Sequence, residues 1–188
     1  FHREAKKNPE LNEKAKEIFK KLEEGKDLKL INKWLEIADA SLKEFQKIYE
    51  RLGVRFDLVI GESLFKNKAE EIVKKCLAKK IAFQEKSGPV KVDLSRFELA
   101  SFVLKKSDGT TIFASREIAS AEFRYKIFKP SRIIYLAGSE QSLHFKQVFK
   151  VLELLKIGLS RHFGSENYSL PKERGKPENF LHVDFGLI

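Results

Sequence analysis

Methionine is absent from the 188 residues, cysteine and tryptophan each occur once, and no run of apolar residues is long. The longest apolar stretches, such as 133–138, fall far short of the ~20 residues a bilayer-spanning helix needs, and the opening Phe1-His2-Arg3 starts no apolar leader. No membrane partner is therefore expected. A lone thiol, Cys76, closes no internal disulfide, and no Cys/His spacing suits zinc, so a soluble protein of a reducing, cytoplasmic compartment without a metal site of its own is predicted. The missing methionine predicts a piece of a longer product, whose function draws on residues outside these.

What is present is enough for a core. Apolar residues make up 42% of the chain and include 16 Phe, which excludes a disordered tail. The length fits one domain, or one with an insertion. The net charge of +10 comes mostly from 28 Lys against 9 Arg. Lysine suits phosphate backbones and equally serves as a solubilising surface residue, so the charge leaves nucleic-acid contact and a solvated surface both open.

Local patterns place the elements. Asn8-Pro9 opens a helix ending at Gly25, with an apolar stripe through Leu11, Ala15, Ile18, Phe19 and Leu22. Asp27 caps a second, and Ser41 with Glu44 reads as a capping box that restarts or continues it to Gly53. The β-rich run 54–60 predicts a mostly buried strand closed by Gly61-Glu62-Ser63. A helix follows over 67–79, with Cys76 on its apolar face, then short strands near 81–83 and 90–94. Asp108-Gly109 predicts a hairpin between the arms 102–106 and 111–113. From Ser115 a helix to about Tyr125, a strand over 132–137, a helix over 141–159, a polar loop over 161–179 and a strand over 180–188 alternate, which implies βα units and a parallel sheet.

Ligands of such sheets bind beyond the carboxyl ends of the strands. Three strand-to-helix junctions lie there: Gly61-Glu62-Ser63, residues 113–117, and Gly138 to His144. At the last, Gly138 allows close approach to backbone, the helix start offers free N–H groups, and Gln141 and His144 present an amide and an imidazole three residues apart. Helix-start and packing roles account for the same two residues, and both readings stay open. Ser115 as N-cap and Glu117 in a first turn are explained by capping alone. Glu62 reads as an ordinary turn residue, although a strand-end carboxylate is the right group to grip a cation. The paired lysines 20–21, 74–75 and 79–80 fall where helices face solvent.

At these junctions the sequence resembles the arginyl-tRNA synthetases, class I aminoacyl-tRNA synthetases. The resemblance is carried by residues 41–45 (SLKEF), 49–57 (YERLGVRFD), Gly61-Glu62-Ser63, 106–110 (KSDGT), 115–119 (SREIA), 138–145 (GSEQSLHF) and 182–187 (HVDFGL), in that order. It implies an α/β fold, a Rossmann-type parallel sheet of a class I synthetase catalytic domain with a small inserted α+β subdomain. Residues 1–30 would be the helical tail of a first insertion, 31–62 core, 63–111 a second insertion and 112–188 core again. The implied reaction condenses arginine with ATP, accompanied by Mg2+, and transfers the arginyl group to the 3′ end of tRNA.

The resemblance also assigns residues. In the family a strand-end Tyr, an Asp four residues later and a Gln after the next strand hold the substrate arginine, and these positions are Phe113, Glu117 and Gln141; Glu62 matches a carboxylate near the guanidinium. Gly138 and His144 resemble the junction near ATP ribose and adenine, and His182-Val183 the strand whose backbone approaches adenine. Two positions depart from the pattern. Phe113 lacks the hydroxyl, and Glu117 carries its charge one methylene farther out, where a lost hydrogen bond costs a site much of its selectivity. The family's His-x-Gly-His motif does not occur in these residues, and its lysine loop would follow Ile188, so the chain alone is expected to be inactive. The departures admit two alternatives: a synthetase-like paralogue that binds without charging, and a basic RNA-binding module without nucleotide chemistry.

Overall fold

The computed structural model describes residues 1–158 and 179–186. They belong to two compact units, Phe1–Val59 and Ile60–Ile188. Among the described residues no helix is long and apolar enough to cross a membrane.

The first unit is helical: α1 (His2–Lys7), α2 (Glu10–Glu24) and α3 (Leu28–Leu52). Pro9, rather than Asn8, takes the N-cap position of α2, and the Asn8 side chain just before it accepts from the Glu10 amide at 3.2 Å. Asp27 caps α3 by accepting from the Leu30 amide at 3.1 Å. Gly53 ends α3 in the left-handed region, at φ 68°, and the Val54 amide reaches back to the Tyr49 carbonyl at 2.8 Å, a Schellman stop. The restart at Ser41 does not occur. Its hydroxyl donates to the Ile37 carbonyl at 2.8 Å within one continuous helix, because the apolar stripe runs unbroken past it. Lysines of this unit pair with acids three or four residues away, as in Lys47–Glu44 at 2.6 Å and Lys43–Asp39 at 2.7 Å. Such solvent-exposed pairs contribute little to stability, because water and salt screen them.

Residues 54–60 form no strand. A strand exists through its ladder, and no described strand pairs with this run. Val54, Phe56, Leu58 and Val59 are consequently exposed.

The second unit begins with a 3₁₀ turn, Glu62–Phe65, and α4 (Lys66–Ala78). Strands β1 (Ala82–Gln84), β2 (Val90–Val92) and β3 (Phe102–Lys105) form an antiparallel sheet in sequence order. The Asp108-Gly109 turn closes as expected, with the Lys106 amide on the Thr110 carbonyl at 2.9 Å and Gly109 at φ 85°. Its second arm, however, is a single bridge, Lys105 to Thr111. Helix α5 (Phe113–Phe128) starts immediately afterwards, because Ala114, Ile118 and Ala121 bury at helical spacing. Ile112 holds the N-cap position, Ser115 is buried with its hydroxyl on the Ile112 carbonyl at 2.8 Å, and no acid lies in the first turn. The N-cap role of Ser115 and the first-turn role of Glu117 are therefore corrected.

Strand β4 (Ile133–Gly138) and strand β5 (Phe180–Phe185) pair in parallel, from Ile133 against Phe180 to Gly138 against Phe185. Between them in sequence lie a 3₁₀ turn, Ser139–Gln141, and α6 (Ser142–Leu154). Helix α6 stops at Leu154, short of the end expected at about Leu159, because Lys156 turns left-handed at φ 59° and the Ile157 amide reaches back to the Leu152 carbonyl at 2.9 Å. Of the loop expected over 161–179 all but Asn179, and the last two residues of the closing strand, lie outside the described residues. Side chains alternate across the parallel pair: Tyr135 is buried, whereas Ile134 and Leu136 are exposed. The core joins Ile72, Leu104, Ile118, Tyr135, Val148, Leu152 and Phe180 from both sheets and all three helices of the unit.

An ion cluster and a close contact tie this core. Glu122 of α5 meets Lys75 of α4 at 2.8 Å and Lys126 at 2.9 Å, so Lys75 does not face solvent freely. Burial raises the Glu122 carboxyl pKa, but the two lysines outweigh it and the net shift is downward. Gly158 stands at φ 77°, and a Cβ there would meet the Phe180 ring, 2.8 Å from Cζ. Gly158→Ala should therefore cost roughly 2–3 kcal/mol in urea unfolding, strain and overpacking together; a loss below half a kilocalorie would refute the contact.

Cys76 is fully buried on α4, and burial pushes its thiol up to about 12. The folded pKa exceeds the unfolded one, so this group's contribution is complete below the unfolded thiol pKa and is lost as pH rises toward the folded value. Native protein at pH 8 should leave Cys76 unreactive toward a disulfide reagent, with full reaction only in denaturant.

Candidate active site

The site is built from the N-terminus of α5 and the carboxyl ends of β4 and β5. Strand β4 ends at Gly138, whose extended backbone, φ −60° and ψ 150°, suits any residue. What distinguishes the position is space: the Glu140 carboxylate folds over it, where a Cβ would lie. The backbone approach expected for a ligand is thus covered by the far end of a flexible side chain. Gln141 follows at the N-cap of α6.

Four rings form a row across three elements. Phe113, the first residue of α5, packs on His144 of α6 at 4.8 Å between centroids; His144 meets Phe145 edge-on at 5.4 Å; and Phe145 stacks on His182 of β5 at 4.6 Å. Tertiary packing so joins Phe113, His144 and His182, 69 residues apart in sequence. The His182 Nε2 lies 3.3 Å from the Ala137 carbonyl oxygen, to which its protonated tautomer donates. Val183 pairs with Leu136 and, by strand alternation, turns to the opposite face from His182.

The His144 Nε2 is buried without a hydrogen-bond partner among the described residues. Burial disfavours the imidazolium and lowers the pKa below the ordinary 6.5. A neutral ring beside Phe113 offers either a flat apolar face or one polar atom to a ligand.

Two carboxylates, Glu62 and Glu117, stand near the α5 start. Glu62, in the 3₁₀ turn, stands 3.6 Å from Nη1 of Arg116. Arg116 is buried, and its Nε donates to the Thr111 hydroxyl at 3.3 Å. Glu117 lies one turn from Phe113 on the same helix face, which puts a ring and a charge side by side. Its carboxylate accepts from Arg124 Nη1 at 3.2 Å, and the Arg124 guanidinium in turn sits 5.8 Å over the Tyr135 ring. Arg116, Arg124, Tyr135 and Phe145 were not singled out from the sequence. The seven-residue spacing of Glu117 and Arg124 was the available signal, since two helical turns return to nearly the same face.

A neutral His144 has a measurable signature. In an NMR titration its ring should protonate with a midpoint below 6.5, and because the folded pKa is depressed, its stabilising contribution should fall away as pH drops through the folded value. A midpoint above that of an exposed histidine would contradict the burial.

Comparison with known proteins identifies the family. The family model for tRNA synthetases class I (R), catalytic domain, matches residues 1–164. An arginine–tRNA ligase of Clostridium perfringens is 39% identical over 188 residues, all of this chain and 30% of that protein. One from Halothermothrix orenii is 41% identical with the same coverage. The chain thus spans about a third of the length of these relatives. Among solved structures, an arginyl-tRNA synthetase from Plasmodium falciparum superimposes with a TM-score of 0.70 over 95% of this chain and 28% of that one, at 21% identity, which shows the shared Rossmann-type fold. With nearly nine-tenths of its residues matched, the chain belongs to the catalytic-domain family of the class I arginyl-tRNA synthetases.

Proposed function

We propose that these residues form the amino-acid and nucleotide side of an enzyme that activates arginine with ATP and esterifies the 3′ end of tRNA. The observation that carries this reading is the identity of about 40% to arginine–tRNA ligases along the whole chain, together with the junction residues clustered around the start of α5.

In this reading Glu62 and Glu117 hold the guanidinium, since an ionised carboxylate accepting from a guanidinium makes a strong, directional bond. Phe113 supplies an apolar wall, and Gln141 orients the amino-acid end. ATP lies over Gly138 and the ring row, with adenine near His182 and Val183 and ribose near His144. Its arrival requires the Glu140 carboxylate to move aside, because an acid and a polyphosphate repel. Magnesium enters on the phosphates, and among the described residues no group of three acidic, His or Cys side chains gathers to hold a metal. The arginine carboxylate attacks the α-phosphorus and pyrophosphate leaves; a ribose hydroxyl of the tRNA terminus then attacks the acyl carbon and AMP leaves. The residues present bind and orient for these steps, which is where much of the barrier is removed. tRNA remains the fitting macromolecular partner of a chain with net charge +10, and the cytoplasm the fitting compartment.

A second reading, binding without charging, draws on Phe113, which offers no hydroxyl where the family pattern has one. Aminoacylation by the full-length protein with labelled arginine separates the two. Arginyl-tRNA should form, and Glu117→Gln should raise the arginine KM at least about tenfold with the ATP KM unchanged. Failure to charge tRNA while arginine binds in calorimetry would select the second reading, and Phe113→Tyr with Glu117→Asp would then test whether the pocket can be restored.

A further inference from the structure

Glu117 is a glutamate where the family pattern has aspartate, and its extra methylene adds a rotatable bond. Left alone, such a carboxylate would spread over several positions, and fixing it on binding would cost side-chain entropy. The structure shows what removes that freedom. Its side chain is only 13% exposed, and Arg124 Nη1 donates to Oε1 at 3.2 Å. Arg124 lies two turns farther along α5, roughly 10 Å of helix rise, and spans the gap because long helical side chains lean toward the N-terminus.

Arg124 is itself located from a second element. Its guanidinium sits 5.8 Å over the ring of Tyr135, a buried residue of β4. Tyr135 remains a neutral phenol, since burial first and the Glu117 charge second push its pKa up. The arginine is therefore held between a carboxylate on its own helix and an aromatic face on the parallel sheet. Contact with Glu117 is single-point, one guanidinium nitrogen on one oxygen. A carboxylate has about four lone-pair sites, so a second guanidinium finds room on the same group.

We infer that Arg124 is a positioning residue that holds the Glu117 carboxylate in place to receive the guanidinium of the substrate. The inference rests on the arginine-activating reading, which is what sets Glu117 against substrate. Arg124 works through Glu117: it neutralises part of a half-buried charge, ties β4 to the α5 start, and lets a glutamate do what a shorter carboxylate does unaided.

The test is calorimetry on the full-length protein with arginine and, separately, with ATP, comparing Arg124→Gln and Arg124→Lys. Gln keeps much of the reach but loses the charge, and the arginine Kd should rise about tenfold while the ATP Kd stays within twofold. Lys restores the single-point charged contact and should return the arginine Kd to within about threefold of the unaltered protein. An unchanged arginine Kd in the Gln variant overturns the inference. So does an equal loss toward ATP, which would mark a packing role, or a Lys variant no better than Gln. Should thermal unfolding show that the Gln variant does not fold, the Lys variant decides alone: near-native arginine binding supports the role and a tenfold loss refutes it. If the unaltered protein binds no arginine, the activating reading itself has failed; if it binds and the variants do not differ, only the role of Arg124 has.

Discussion

Helix α5 is the member on which the second unit depends. Ala114, Ser115, Ile118, Ala119 and Ala121 are buried, and small side chains at most of these positions let α4, β3 and α6 approach its backbone closely. Close packing of this kind leaves little slack, so the helix ends are held to within a side chain's tolerance. Both ends matter. Phe113 begins the helix against His144, and Arg124, near its end, reaches back to Glu117 and across to Tyr135. A shift of the helix by one residue would turn Glu117 and Phe113 away together, because they share a face.

The charges around α5 fall into two kinds. Glu122 faces Lys75 and Lys126 on the packed side and ties helix to helix. Glu62 and Glu117 are each paired to an arginine of α5 near the sheet ends. The first kind is complete without a ligand, since one carboxylate meets two ammonium groups. The second kind pairs acids near the sheet ends with arginines of the same helix, at 3.6 and 3.2 Å.

Most elements were legible because their signals are local. Asp27 before an apolar stripe, Gly25 and Gly53 after one, and Asp108-Gly109 between two β-rich arms need no distant partner to act. Where the reading missed, a distant partner decided. Residues 54–60 have strand composition and no ladder beside them. At Ser41 and Glu44, where a restart and a continuation were both open, the unbroken apolar period carries α3 on through them. Thr111-Ile112-Phe113 has the character of a strand arm, yet burial of Ala114 and Ile118 draws Phe113 into a helix and leaves one bridge at Thr111.

Of the candidate site, the sequence by itself determined the chemistry available: two carboxylates, a glutamine, two histidines and a glycine, and an excess of lysine. Family membership follows from the same order of residues. Tertiary structure alone decided which groups meet. Arg116 and Arg124 look like ordinary helix arginines in the sequence, and only the fold brings one to Glu62 and sets the other between Glu117 and Tyr135. His144 becomes a neutral, half-buried ring only because Phe113 and Phe145, from two different helices, close around it. The missing methionine and the net charge of +10, which are properties of composition, carry no such information, because composition has no neighbours.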